Sequence, residues 1–258
     1  YSYQTFTLDT RQMMTTLEIP SVLSSSQRRC QVLLMLYLPD AAVTAQSIIA
    51  ANGVDDAMAR QDIAETRDEI QRYHRLDIVT HLDGSYRIEG SVLNQRLCLL
   101  HWLRRALRLC PQFVSHQFTP ALKTALKQQG IARPLYDDTN LRALINFCSR
   151  KLQRPFDCRD VQFLQLFLQY CLIQHHLGNT PQFSHVQRNW TQSRGEYFTA
   201  QAIVRQWHRR APQGTHTVVQ LFTALLILTP RPHAPGRERH SPLLPVPTTL
   251  SPSSLASS

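Results

Sequence analysis

The sequence is poor in glycine, with eight residues in 258, and no glycine-rich phosphate-binding loop occurs in it. It also lacks a P-loop, a Ser–His–Asp order and paired carboxylates spaced for acid and base catalysis. Enzymes that hold phosphorylated substrates or cofactors on backbone amides need such loops. We therefore predict that the protein is not an enzyme and uses no cofactor.

None of the six cysteines belongs to a C-x-x-C pair, which argues against zinc or thioredoxin-like chemistry. Most of them lie in apolar helical runs, so we predict buried free thiols in a reducing cytoplasm. Long apolar runs are missing too. The longest, residues 218–228, is interrupted by Gln220 and falls short of the roughly 18 to 20 residues that span a bilayer. With no secretory signal pattern, the sequence predicts a cytoplasmic protein without a membrane partner.

The charge is strongly one-sided, with a formal net charge of +10. This balance favours anionic partners, nucleic acid first, although many proteins are basic for no specific reason. Several arginines lie within one apolar helical pattern at residues 96–108. They indicate either contacts to nucleic acid or, more commonly, a solvated helix face.

Residues 53–90 carry the clearest structural signal. A helix over about 54–74, rich in Asp, Glu and Arg, is followed by two alternating runs at 76–82 and 85–89. The tight turn expected between them at Asp83–Gly84 is a strong signal for a β-hairpin.

Two helices are predicted upstream of that stretch. The first covers 27–38 with Ser26 as its cap, and the second covers 44–52 with Gly53 just after its last residue. Three short helices and a hairpin make a winged helix-turn-helix, which we predict over 27–90.

The rest of the chain is predicted to be mostly α-helical, as a connector over 91–134 and an all-α bundle over 135–229. Pro111 ends the first helix and Thr119–Pro120 opens the second. The tryptophans occupy apolar helical positions and are predicted to be core residues (Trp102, Trp190, Trp207). Helices are expected at about 93–109, 119–130, 140–152, 161–176, 187–209 and 217–229.

Both ends of the sequence are predicted to be disordered. Residues 1–26 are polar and aperiodic, with Met13 or Met14 as an alternative translation start. Residues 230–258 are rich in Pro and Ser, which indicates a Pro-rich tail or a frameshift; the frameshift is favoured because further core is expected there.

The pattern resembles the bacterial activators that carry phosphotransferase-system regulation domains. Val54, Asp62–Ile63 and Tyr86–Gly90 match their winged-helix motif, and 166–178 (LFLQYCLIQHHLG) resembles the core helix of one regulation domain. The resemblance covers about 14–228. It implies a transcription-regulator-like homodimer without enzymatic activity, in which a second regulation domain is absent.

Departures from that family pattern fall on its functional positions. Asp55, Ala57 and Met58 replace the usual Ser, Arg and Thr, although Asp55 can still cap the helix. Residues 55–69 hold six acids against two arginines, a net of −4, which predicts repulsion of a duplex. The remaining candidates for DNA contact are Arg60, Gln61, Arg67 and, on the wing, Arg87. The sequence supports two interpretations equally: a winged helix that binds DNA, and a winged helix that has become a scaffold and binds protein.

The expected phosphorylation site is also altered. Phe167 stands where the family has its phosphorylatable histidine, and Gln174 where it has an arginine. A phosphocarrier protein would therefore have no substrate at that position. His175 and His176 are the remaining candidates for phosphorylation, and because adjacent helical residues point about 100° apart they do not form a metal site.

Overall fold

The computed structural model describes residues 22–39, 42–179, 181–194, 196–198 and 200–201. The chain is mostly helical, with a small two-stranded antiparallel hairpin after the N-terminal helices. The predicted disordered tail at 230–258, the predicted helix at 217–229 and Trp207 lie outside these residues, as do residues 1–21 of the predicted disordered segment 1–26. The end of that segment is ordered, contrary to the prediction, because Ser24 caps a helix that already includes Ser25 and Ser26. Across the described ranges, no helix is both long and apolar enough to cross a membrane.

The elements follow one another in a simple order. The N-terminal part contains α1 (Ser25–Tyr37), α2 (Ala45–Asn52), α3 (Asp56–His74), β1 (Asp77–Thr80), β2 (Tyr86–Glu89) and α4 (Val92–Leu109). After it come α5 (Pro111–Phe113), a π-helical segment (Val114–Phe118), α6 (Thr119–Gln128), α7 (Arg133–Tyr136), α8 (Asp138–Leu152), α9 (Cys158–His176) and α10 (His185–Gln192).

Capping residues explain where the helices in the N-terminal part of the chain begin and end. Ser24, and not the predicted Ser26, caps α1, because Gln27 lies three residues later and completes a reciprocal capping box. Gly53 ends α2 in the left-handed conformation, with φ of 64°. Asp55 caps α3 as predicted, since its carboxylate accepts the Met58 N–H at 2.8 Å.

The hairpin forms where the sequence predicts it. Val79 lies opposite Arg87, and the His81 N–H donates to the Ser85 carbonyl at 2.8 Å. The tight turn expected at Asp83–Gly84 is a three-residue loop over 82–84, closed by the Gly84 N–H on the His81 carbonyl at 2.9 Å. Loops of this length place a glycine-compatible residue last, and Gly84 has φ of 83°. A bridge between Val43 and Tyr86 adds a third segment to the wing.

The region after α4 differs from the prediction. Helical backbone restarts at Pro111 rather than at Thr119, and runs through the π-helical segment into α6. Pro120 has no N–H to donate to the preceding turn, so the wider π turn lies where a regular ladder would be broken.

The predicted helix at 187–209 is interrupted in the structure: helical backbone resumes at 196–198 and 200–201, and residues 202–209 lie outside the described ones. Its first part, α10, ends at Gln192. The Ser193 hydroxyl donates to the Trp190 carbonyl at 2.7 Å, and such local bonding competes with the helical ladder.

One continuous core joins the N-terminal helices to the bundle. Trp102 is fully buried as predicted, and Trp190 packs partly buried against the core. All six cysteines are free; five are buried as predicted, whereas Cys158 is exposed.

Candidate nucleic-acid interface

The helix α3 has two chemically different faces. Its inner face buries Ala59, Asp62, Ile63, Thr66 and Ile70. The outer face shows a stripe at helical spacing that includes the three predicted DNA-contact residues of this helix. Its exposed members are Ala57, Arg60, Gln61, Ala64, Arg67, Asp68 and Gln71.

The acids of α3 mostly pair with arginines from other helices. Asp62 is completely buried, and its carboxylate accepts two hydrogen bonds from the guanidinium of Arg28 on α1, at 2.8 Å and 3.4 Å. Glu65 pairs with Arg29 at 3.3 Å. Glu69 lies 3.1 Å from Arg105 of α4 and 3.7 Å from Arg29.

These pairs correct the charge count made from the sequence. Removing the three paired acids from the six in residues 55–69 leaves three acids against two arginines, a net of −1 instead of −4. We therefore expect α3 to repel a DNA duplex much less than the sequence count implies. The three paired acids face arginines of other helices, and only the charges that face the duplex act on it strongly.

Both arginines on the outer face are held by exposed carboxylates. Arg60 contacts Asp56 one turn earlier at 2.8 Å. Arg67 contacts Asp77 of β1 at 2.7 Å, and Gln71 donates to the same carboxylate at 2.8 Å. Burial opposes the charge of Asp77, but the combined hydrogen bonds outweigh it and lower the pKa of Asp77. Exposed pairs of this kind are weak, so a phosphate can compete for either arginine.

The wing presents a basic residue beside an acidic tip. Arg87 is exposed on β2 and forms no ion pair within the described part of the chain. Asp83 accepts hydrogen bonds from the hydroxyl and N–H of Ser85, which lower the pKa of Asp83 and keep the tip charged. Arg87 lies on β2, whereas Arg60, Gln61 and Arg67 lie on α3. The four candidates for DNA contact therefore belong to two separate elements.

The arginine stripe of α4 serves internal contacts. Arg105 stacks on Trp102 at 4.8 Å while it pairs with Glu69 of α3. Arg104 stacks on Phe163 of α9 at 4.9 Å and lies 3.8 Å from Asp160. Arg96 is buried, donates to the Asn179 carbonyl at 2.7 Å and stacks on Tyr170. Much of this charge is therefore not directed at a partner.

The expected phosphorylation position lies in the core. Phe167 on α9 is 1% exposed, and its ring lies 6.2 Å from that of Phe163. Gln174 accepts a hydrogen bond from Asn179 at 2.9 Å. Of the two remaining candidates, His175 has a buried Nδ1 without a hydrogen-bond partner among the described residues, and His176 is exposed at the end of the helix.

Two residues with structural influence on this interface were missed from the sequence. Asp62 shares one face of α3 with Ala59, Ile63 and Thr66. Its spacing from these residues in the sequence could have indicated that it is buried. Asp77 gave no such signal, because its pairing with Arg67 depends on how β1 returns along α3.

Comparison with known proteins identifies a relative. The chain is 57% identical over 228 residues to the stationary phase-inducible protein CsiE of Escherichia coli (strain K12), which covers 88% of this chain. The chain is a relative of CsiE. This match shows the kinship with CsiE and does not test the resemblance to activators with phosphotransferase-system regulation domains. The chain spans about half of CsiE, 54% of its length. No family model and no solved structure matches the chain.

Proposed function

We propose that the protein is a transcription-regulator-like protein that binds DNA through a winged helix at residues 27–90. The order of α1, α2, α3 and hairpin supports this assignment. In this proposal residues 91–134 connect the winged helix to a regulation-domain-like bundle at 135–229. The bundle dimerises and sets the spacing of two recognition helices on DNA.

The observation that carries the proposal is the division of charge on α3. Its outer face offers Arg60, Gln61 and Arg67 at helical spacing, whereas most of its acids face other helices. The small side chains Ala57 and Ala64 on the same face allow close approach to a groove. Arginine and glutamine are the side chains that read guanine and adenine edges in pairs of hydrogen bonds.

The regulatory input differs from that of the family the sequence resembles. A phenylalanine cannot accept a phosphoryl group, and Phe167 is buried in addition. We propose that the phosphocarrier protein does not act on this chain at that position. The name of CsiE suggests expression in stationary phase, and we extend this timing to the present chain.

Fluorescence anisotropy with a labelled random-sequence duplex, titrated at several salt concentrations, tests DNA binding. We expect a linear fall of log affinity with log salt, with a slope of about −0.9 for each neutralised phosphate. Arg60→Gln and Arg67→Gln should each reduce that slope by about one such contact. Arg142→Gln removes an equal charge from an exposed position on α8 and serves as the matched control.

A second candidate is a protein-interaction module that keeps the fold without binding DNA. Asp56 and Asp77 on α3 and β1, together with the charged Asp83 at the wing tip, favour it. Absence of binding at low salt, despite the net charge of +10, would overturn the DNA proposal in favour of this one.

A further inference from the structure

Two cysteines from distant parts of the sequence meet in the core. Cys30 lies on α1 and is fully buried, whereas Cys110 follows the last residue of α4 and is 5% exposed. Their thiols are in contact through a hydrogen bond. The Cys30 Sγ also lies 3.9 Å from the Trp102 carbonyl oxygen of α4. One turn before Cys30, the Gln27 side chain donates to the Leu109 carbonyl, next to Cys110, at 2.9 Å. The packing of α1 on α4 therefore holds the two sulfurs side by side.

The contact makes these two thiols chemically unequal. The hydrogen bond from Cys30 lowers the pKa of Cys110, although burial opposes this change, and the same contact raises the pKa of Cys30. Burial instead raises the pKa of the other internal thiols (Cys98, Cys148, Cys171). Because the thiolate is the form that reacts with oxidants, Cys110 is the core thiol best prepared to react.

Cys110 also lies just beneath the surface. It joins α4 to α5, its backbone is not helical, with φ of −139° and ψ of 59°, and the next two residues, Pro111 and Gln112, are exposed. A molecule as small as hydrogen peroxide needs only a local opening of this junction to reach the Cys110 sulfur.

We propose that Cys30 and Cys110 form an oxidation site, at which hydrogen peroxide converts the two thiols into a disulfide between α1 and α4. The Cys110 thiolate attacks one peroxide oxygen, the O–O bond breaks, and the other oxygen leaves as water with the proton that Cys110 lost. The Cys30 sulfur then attacks the resulting sulfenic acid. The S–S bond forms, the S–O bond breaks, and a second water leaves with the Cys30 proton. Both sulfurs are oxidised and the peroxide is reduced.

The disulfide would join the two helices that hold the acids of α3. Arg28 on α1 binds Asp62, and Arg105 on α4 binds Glu69. Oxidation would therefore fix the support beneath α3, whichever partner its outer face binds.

Peptide mapping of the full chain tests the proposal. Cys158→Ser, which removes the exposed thiol, is the starting protein, so that links between molecules do not obscure the result. It is treated with equimolar hydrogen peroxide without denaturant, unfolded in iodoacetamide, and cleaved with trypsin. We expect the peptides 30–60 and 109–123, which contain one cysteine each, to be joined. Their joint mass should lie about 2 Da below the sum of the free peptides, and dithiothreitol should separate them.

Matched variants and the unfolded chain are the controls. Cys30→Ala and Cys110→Ala should each abolish the linked pair, whereas Cys98→Ala, which removes another buried thiol, should retain it. In the folded chain this pair should exceed every other linked pair at least about tenfold, because the fold keeps the two thiols together. Treatment in urea should abolish that preference. Full alkylation of Cys30 and Cys110 after peroxide treatment, oxidation of Cys110 without a link, or the same linked pairs with and without urea would overturn the proposal.

Discussion

The helices α3 and α9 have the same length, 19 residues, and occupy the two functional positions of the family that the sequence resembles. In α3 the charges are divided between faces, with acids bound to α1 and α4 and arginines left outside. In α9 ten residues are buried, and the position expected to react is one of them. A surface can lose individual contact residues and keep a usable face, whereas a reactive position taken into the core cannot serve a partner.

The largest expected effect concerns the buried acid that gives α3 its inner face. Asp62→Ala leaves Arg28 without its carboxylate in a poorly hydrated site, and we expect a loss of about 3 kcal/mol in unfolding free energy. Asp68→Ala, on the exposed face, should change it by less than about 0.5 kcal/mol. Urea unfolding of both variants measures the difference. Equal stabilities would show that the inner charges of α3 do not hold it in place.

Phe167→His tests whether residue type or burial would keep this position of α9 from accepting a phosphoryl group. An imidazole there lacks hydrogen-bond partners, so we expect a loss of about 2 kcal/mol in unfolding free energy. Because the position is buried, the variant should remain unlabelled when it is incubated with phosphorylated phosphocarrier protein. Phe167→Leu provides the apolar control for stability. Stable labelling of the histidine variant, at full stability, would contradict the role of burial.

The end of α3 should make stability depend on pH. Burial and the neighbouring His101 lower the pKa of His74 to about 4. The unfolded chain takes up a proton near the ordinary histidine pKa of about 6.5, while the folded chain does not until about 4. Stability should therefore be fully present above about pH 6.5 and fall towards pH 4, by at most about 1.4 kcal/mol per pH unit. In the His74→Gln variant the unfolding free energy should fall less between about pH 6.5 and pH 4 than in the native chain. Urea unfolding at several pH values across that range measures the difference.

The smallest effect is expected on the outer face of α3. Asp56→Asn removes a negative charge and frees Arg60, so DNA affinity should rise about two- to fivefold at low salt. Asp68→Asn removes an equal charge from the same face without freeing an arginine, and its gain should be smaller. Anisotropy at low and high salt distinguishes the two. A gain from Asp68→Asn as large as that from Asp56→Asn would show that the ion pair does not restrain Arg60.

Local signals in the sequence predicted local structure well. The capping of α3 by Asp55, the end of α2 at Gly53 and the position of the hairpin each depend on residues within a few positions of one another. The restart of helical backbone at Pro111 was not predicted, because a proline at a first helical position and one that ends a helix look alike in sequence.

The sequence predicted which candidate residues of α3 lie on one exposed face, but it did not predict the ion pairs that its acids form. Arg60, Gln61 and Arg67 do share an exposed face, as a helical period implies. The pairing of Asp62 and Glu69 depends on residues 34 to 36 positions away, on helices whose arrangement no local pattern specifies. Charge counted along a sequence therefore differs from charge presented to a partner.

The neighbouring arginines of α4 have a practical consequence for dissecting the molecule. Arg105 is bound to α3 and Arg104 lies against α9, on the same turn of one helix. The Gln27 side chain at the start of α1 also donates to the Leu109 carbonyl at the end of α4, at 2.9 Å. A fragment cut after residue 90 would keep every residue proposed to touch DNA and lose one wall of the core beneath them. Experiments on the wing should therefore begin from point variants of the whole chain and not from an excised N-terminal piece.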